Sequence, residues 1–257
     1  MINIENIARD LFGSGQPCKC GGDHKVCLDC LVCRADSSDM LYEDQGIAHI
    51  VDATILRADA TSPDVAEICT MALEYECASV CINSHFIAQI KGILQDKIKS
   101  CTVINFPLGA GDISAVAAEA LAVIDLGINE LDMVQNIAAA RSGDWDSAYR
   151  TILEVGKLCN AHDVLLKVIL ETCFLTEEQI VISCLYAKKA GAHFVKTSTG
   201  FGSAGATAAN IALMRATVGP KLGVKASGGV KTKEQANQMV AAGASRIGAS
   251  SVSALKN

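Results

Sequence analysis

Eight short apolar runs, separated by longer stretches with helical patterning, organise most of this 257-residue chain. The runs are Ala48–Thr54, Ala78–Ile82, Cys101–Phe106, Asn129–Val134, Val164–Leu170, His193–Thr197, Gly223–Ala226 and Ser245–Gly248. Between them, Ser114–Leu126, Trp145–Ala161, Thr176–Ala190, Ala208–Val218 and Thr232–Ala242 read as helices. Parallel strands need a crossover between neighbours, so this alternation predicts a parallel sheet, and runs apolar throughout suit strands covered on both faces. Eight units predict a closed (β/α)₈ barrel, the TIM-barrel architecture; an open doubly wound sheet is the alternative.

Local signals agree with that division. Gly127, Gly191 and Gly243 each follow an apolar helical run, where a left-handed C-cap is wanted. Thr176 precedes an acidic first turn, and Thr232 with Gln235 has capping-box spacing. Residues 1–36 break the rhythm, being rich in Gly and Cys. The chain therefore divides into an N-terminal extension, 1–36, and a barrel, 37–257.

Composition narrows the ligands. The formal net charge is −6 with no basic block, which gives nucleic acid or an anionic membrane no electrostatic footprint. No apolar run reaches the roughly eighteen residues of a membrane span. Glu5, Arg9 and Asp10 interrupt the N-terminus, unlike a secretory signal. A soluble, cytoplasmic protein with a small-molecule ligand is expected. Of the twelve cysteines, seven (Cys69, Cys77, Cys81, Cys101, Cys159, Cys173, Cys184) sit singly in apolar stretches and read as inert, buried hydrophobes.

Three lysines interrupt apolar strands: Lys167 in the fifth, Lys196 in the sixth and Lys225 in the seventh. Lysine is almost never fully buried unless paired. One such residue would read as an ion-pair partner; three in consecutive strands point to chemistry. An amine attacks a carbonyl only when neutral, and desolvation or a nearby cation disfavours its charged form. Lys196 and Lys225, on adjacent strands roughly 4.8 Å apart, form such a pair. Asp132, in the fourth strand, reads either as a structural counter-charge or as a proton shuttle. Asp52, at the end of the first strand, has the same two readings, the structural one favoured. Glu171, ending the fifth strand, is expected to balance Lys167.

Glycines and hydroxyls cluster where the last three strands end: Thr197-Ser198-Thr199-Gly200, Ser227-Gly228-Gly229 and Gly248-Ala249-Ser250-Ser251. Glycine lets the backbone approach an anion, and loops after strands seven and eight are where such barrels hold phosphate.

These segments resemble the deoxyribose-phosphate aldolases. The resemblance rests on Glu130-Leu131-Asp132-Met133-Val134, Leu166 to Thr172, Phe194 to Phe201, Val224 to Val230 and Arg246 to Ser251, and runs from about Ile50 to Ser251. It implies a class I aldolase without metal or organic cofactor, which reversibly cleaves 2-deoxy-D-ribose 5-phosphate to D-glyceraldehyde 3-phosphate and acetaldehyde. It implies Lys196 as the Schiff-base lysine, Lys225 as the second lysine and Asp132 as their partner in proton transfer. Gly200, Gly228, Gly229, Gly248, Ser250 and Ser251 would line the phosphate end, and a homo-oligomer is an expected assembly. Ala53, Arg57 and Ser84 stand where members often carry His, Lys and Pro, which bears on substrate preference. Another Schiff-base barrel acting on a different phosphorylated sugar, and a scaffold barrel without activity, are the competing readings.

The extension lies outside that resemblance. Cys18, Cys20, Cys27, Cys30 and Cys33 offer Cys-x-x-Cys spacing for a structural zinc or, less fittingly, an iron–sulfur centre; the alternative is a tail without ligand. Ile4, Ile7, Ala8 and Leu11 form one apolar helical face with Asn3 as its cap. It reads as a plug against the barrel or a neighbouring subunit. The sharper reading is a docking peptide, residues 1–12, for a partner such as a bacterial microcompartment shell.

Overall fold

The computed structural model describes residues 2–12 and 46–255. Its eight parallel strands close in sequence order, β8 pairing back onto β1. They are β1 Val51–Ile55, β2 Ser79–Ile82, β3 Lys99–Ile104, β4 Glu130–Val134, β5 Leu165–Ile169, β6 Phe194–Lys196, β7 Gly223–Ser227 and β8 Arg246–Ala249. The closed barrel leaves no open edge, so the open-sheet alternative falls. After α1 (Ile4–Phe12), the barrel helices are α2 Ser62–Glu74, α3 Ile87–Leu94, α4 Ile113–Asp125, α5 Ile137–Ser142, α6 Trp145–Ala161, α7 Glu177–Lys189, α8 Ala208–Val218 and α9 Lys233–Ala241. Apart from α5, whose Ile137 packs with Val134 and Ile169, their apolar faces join the outward residues of the strands in one continuous core.

The stops and starts read from sequence are in place. Gly127, Gly191 and Gly243 take φ of 76°, 83° and 109°. Thr176 with Gln179 and Thr232 with Gln235 form reciprocal capping boxes. One boundary differs. Ile47–Ile50 is a 3₁₀ turn, entered through Gly46 at φ 76° and closed by the Val51 N–H on the Ala48 carbonyl, so the first strand begins at Val51. Asp52 therefore sits near the start of β1 rather than at its end. The helices α2, α3 and α5 were not anticipated, although Thr61 and Asp64 cap α2 reciprocally with a proline in its first turn.

Helix α1 lies on the barrel wall. Asn3 caps it, its side-chain oxygen accepting from the Asn6 N–H at 3.0 Å. Ala8 is buried against Val181 and Leu185 of α7, with Ile4, Ile7, Leu11 and Phe12 around it. The Phe12 ring meets Tyr186 edge-on, and the Lys189 ammonium lies 4.5 Å from its centroid. The five cysteines from Cys18 to Cys33 lie outside the described residues.

Candidate active site

Most barrel interiors of this type are filled with branched aliphatic side chains. This one holds ions. Lys167, Lys196, Lys225, Asp52, Asp132 and Glu130 are all buried, with Arg246 reaching in from the first residue of β8. Strand register sets Asp132 beside Lys167 and Lys196 beside Lys225.

Asp132 is the hub. Its Oδ1 accepts from Lys167 at 2.8 Å, and its Oδ2 from Lys196 at 2.7 Å and Lys225 at 2.8 Å. Lys225 also meets Asp52 at 2.5 Å. Lys167 also meets Glu130 at 2.5 Å and Asp52 at 3.6 Å. Arg246 closes the base, 2.6 Å from Asp52 and 3.2 Å from Glu130. Among the described residues, four cationic side chains thus face three carboxylates, and Lys196 is the cation with a single carboxylate partner.

Burial alone would raise the carboxyl pKa values. The surrounding cations outweigh it, holding Asp132 well below the ordinary range through Lys167, Lys196 and Lys225. Lys225, Lys167 and Arg246 do the same for Asp52. Conversely, burial disfavours the charged forms of Lys167 and Lys225, yet their carboxylate neighbours raise both above the ordinary lysine value. Both amines keep their protons at neutral pH.

Several expectations need correction. Glu171 does not balance Lys167, whose partners are Glu130, Asp132 and Asp52. The strand ends at Ile169 and the chain turns at Glu171, φ 56°, which aims its carboxylate at Thr199 instead. The cysteines also divide. Burial pushes the Cys69 thiol up to about 11 and Cys77 up to about 12, as suits inert core thiols. Cys173, half-buried, approaches Glu171 at 3.8 Å. Cys81 and Cys101, paired across β2 and β3, face inward, and the Cys101 Sγ lies 3.3 Å from Asp132 and 3.4 Å from Lys167. Among the described residues, Cys81, Cys101 and Asp132 are the group with clustered metal-ligand atoms. Three ammonium groups already hold both oxygens of Asp132 and oppose a further cation there, so we assign it no metal.

At the mouth, the loops after β6 and β7 touch. Gly200, Gly228 and Gly229 take φ of 91°, 79° and 82°. A Cβ on Gly228 would lie 3.0 Å from the Gly205 Cα, 3.5 Å from the Ser198 Cβ and 3.6 Å from the Gly200 Cα. The Ala206 N–H donates to the carbonyls of Ser227 and Gly228 at 3.0 Å each. Gly248 is placed differently from expectation: it lies within β8, where a Cβ would clash with the Ser227 Oγ and come 3.2 Å from the Lys225 Cε. It leaves room for the Ser227 hydroxyl and the lysine rather than forming a loop. Ser250 and Ser251 follow β8 directly and are exposed, Ser250 sharing a cleft with Thr54, Leu56 and Arg57. Two mouth residues in those hydroxyl-rich segments stand out: the Ser198 and Ser227 hydroxyls are buried with no hydrogen-bond partner among the described residues. Their positions beside the Gly200 and Gly228 turns were the signal.

Residues 40–257 match the model of the DeoC/LacD family of aldolases. A deoxyribose-phosphate aldolase of Thermoanaerobacter sp. (strain X514) is 50% identical over 206 residues, covering 79% of this chain and 92% of its own. One of Bacillus cereus (strain AH187) is 51% identical over 205 residues, covering 79% and 92%. Among solved structures, the tetrameric deoxyribose phosphate aldolase of Aeropyrum pernix superposes with a TM-score of 0.78 at 30% identity, covering 84% of this chain and 92% of that one. With its closed barrel and the buried lysines on β5, β6 and β7, this chain belongs to the DeoC/LacD family of aldolases.

Proposed function

We propose that the chain is a class I aldolase that reversibly cleaves 2-deoxy-D-ribose 5-phosphate to D-glyceraldehyde 3-phosphate and acetaldehyde, with Lys196 forming the Schiff base. The observation that carries this reading is the unequal sharing of carboxylates. Among the described residues, Lys196 leans on Asp132 alone, while Lys225 also holds Asp52 and Lys167 also holds Glu130. Four cations against three carboxylates leave one positive charge unmatched in a dry interior, where an unpaired charge is costly. The amine with the fewest partners is the one the ion cluster depends on least, which leaves it free to attack a carbonyl.

The Lys196 nitrogen adds to C1 of the open-chain sugar, and loss of water leaves an iminium. The C2–C3 bond then breaks. Its electron pair is taken up by the iminium as an enamine, while the C3 hydroxyl proton passes to the anionic Asp132, directly or through water. This frees the three-carbon phosphorylated aldehyde. Protonation at C2 and hydrolysis release acetaldehyde and restore the amine. Lys225 keeps its charge throughout and holds Asp132 in place. The iminium is the electron sink, so the cleavage step calls for no metal or organic cofactor.

Gly200, Gly228 and Gly229, with Ser250 and Ser251, form the phosphate end; Ser198 and Ser227 add hydroxyls with hydrogen-bonding capacity to spare. A homo-oligomer is part of the proposal, supported by the tetrameric relative and by exposed Leu121 on α4 and Leu126 at its C-cap. Docking of residues 1–12 to a shell gains no support, because the apolar residues it would use are spent on α7. Among the described residues, no helix is long and apolar enough to cross a membrane.

Acetaldehyde release from 2-deoxy-D-ribose 5-phosphate, beside a panel of other phosphorylated sugars, tests this reading. Wild type should prefer the deoxy sugar and Lys196→Ala should release nothing. Wild-type rates in the variant, or preference for another sugar, would overturn it.

A further inference from the structure

Glu171 takes no part in the ion cluster. Its carboxylate is buried, and among the described residues no cation pairs with it. Its backbone sits at φ 56°, ψ 62°, a region that costs a residue with a side chain. A buried anion without a counter-charge and a strained backbone together need a return from somewhere.

The return is visible in the loop after β6. The Thr199 N–H donates to Glu171 Oε2 at 3.2 Å, and the Thr199 hydroxyl donates to the same oxygen. The Thr199 hydroxyl in turn accepts from the Phe201 N–H at 3.0 Å. A Cβ on Gly202 would lie 2.8 Å from the Cys173 Sγ and 3.2 Å from the Glu171 carboxylate, so glycine lets the loop settle against both. The ends of the loop are fixed by other bonds: Thr197 exchanges hydrogen bonds with Ser227, and Ala206 donates to Ser227 and Gly228. Between those ends, Thr199 supplies the polar ties to the barrel, and both end on Glu171.

We infer that Glu171 is a positioning residue: by holding Thr199, it fixes the turn that presents Ser198 and Gly200 beside Gly228, and so sets affinity for the phosphate end of the substrate. The inference rests on the aldolase reading above, and it assigns Glu171 no contact with the reacting carbons. Charge-assisted hydrogen bonds are about twice as strong as neutral ones, so an amide in its place should hold the turn partly and alanine not at all.

The experiment compares wild type, Glu171→Gln and Glu171→Ala on 2-deoxy-D-ribose 5-phosphate and on unphosphorylated 2-deoxy-D-ribose. Borohydride trapping of acetaldehyde on Lys196 is followed in parallel. For Glu171→Ala, KM for the phosphorylated sugar should rise roughly tenfold or more, equivalent to about 1.4 kcal/mol of lost binding. Its kcat/KM for the unphosphorylated sugar and its acetaldehyde trapping should stay near wild type. Glu171→Gln should fall between wild type and alanine. Equal losses on both sugars, or an unchanged KM in a folded Glu171→Gln, would overturn the inference while leaving trapping at Lys196 intact. Wild type that fails to trap acetaldehyde would overturn the aldolase reading, and this inference with it.

Discussion

The base and the mouth of the barrel interior carry the same kinds of side chain but differ in how completely they are paired. At the base, Arg246 is shared between Asp52 and Glu130, and Lys167 reaches Glu130, Asp132 and Asp52. At the mouth, Lys196 ends β6 with Asp132 as its one carboxylate partner among the described residues. Burial by itself therefore does not mark the reactive lysine. All three strand lysines are buried, and partner count separates the one proposed for chemistry from those that hold the cluster together.

Substitutions should separate the two ends, beginning at the mouth. Lys196→Ala should lower kcat on the order of 10⁴-fold or more, with the fold retained by circular dichroism, as loss of a covalent nucleophile does. Asp132→Asn should cost roughly 10²–10⁴-fold in kcat, the range for a lost acid–base group. It should also lower the melting temperature, since Lys167, Lys196 and Lys225 lose their shared counter-charge. Glu130→Gln would break the base instead: removing one member of a buried ion network costs about 3–5 kcal/mol, read by urea unfolding, and molecules that remain folded should keep a near-normal rate. If Glu130→Gln lowered kcat as Asp132→Asn does, the distinction between base and mouth would fail.

The pH dependence of stability sharpens the same contrast. Asp52 and Asp132 are depressed, so their contribution is fully present above the ordinary carboxylate value, about 3.9, and is lost as pH falls below it. Lys167 and Lys225 are raised, so theirs is present below about 10.4 and is lost as pH rises beyond it. The melting temperature should hold a broad plateau between these limits, and Glu130→Gln should lower the plateau rather than narrow it. The smallest effect lies outside the interior. Thr232→Ala removes the cap of α9 and should cost about 1 kcal/mol with no change in rate.

What was legible in the sequence follows from period and contrast. A lysine inside an apolar strand is conspicuous, and Lys196 and Lys225 were placed on adjacent strands because the runs around them are short and clear. Glycine C-caps and threonine caps were legible because each rests on a local backbone need. The base of the cluster was not. Glu130 and Arg246 begin their strands, where a charge ordinarily faces water, and only closure of the barrel turns both inward. Glu171 was misassigned for a related reason: its chain position suggests Lys167, while a positive φ, invisible in the sequence, swings it to Thr199. The apolar face of α1 could be read, but its seat on Val181 and Leu185 depends on tertiary structure.

Reduction with borohydride in the presence of acetaldehyde, followed by peptide mass mapping, puts the partner-count argument to its most direct test. A two-carbon adduct on Lys196, with Lys167 and Lys225 unmodified, is expected. An adduct on either of those lysines, or none on Lys196, would show that carboxylate pairing does not select the reactive amine.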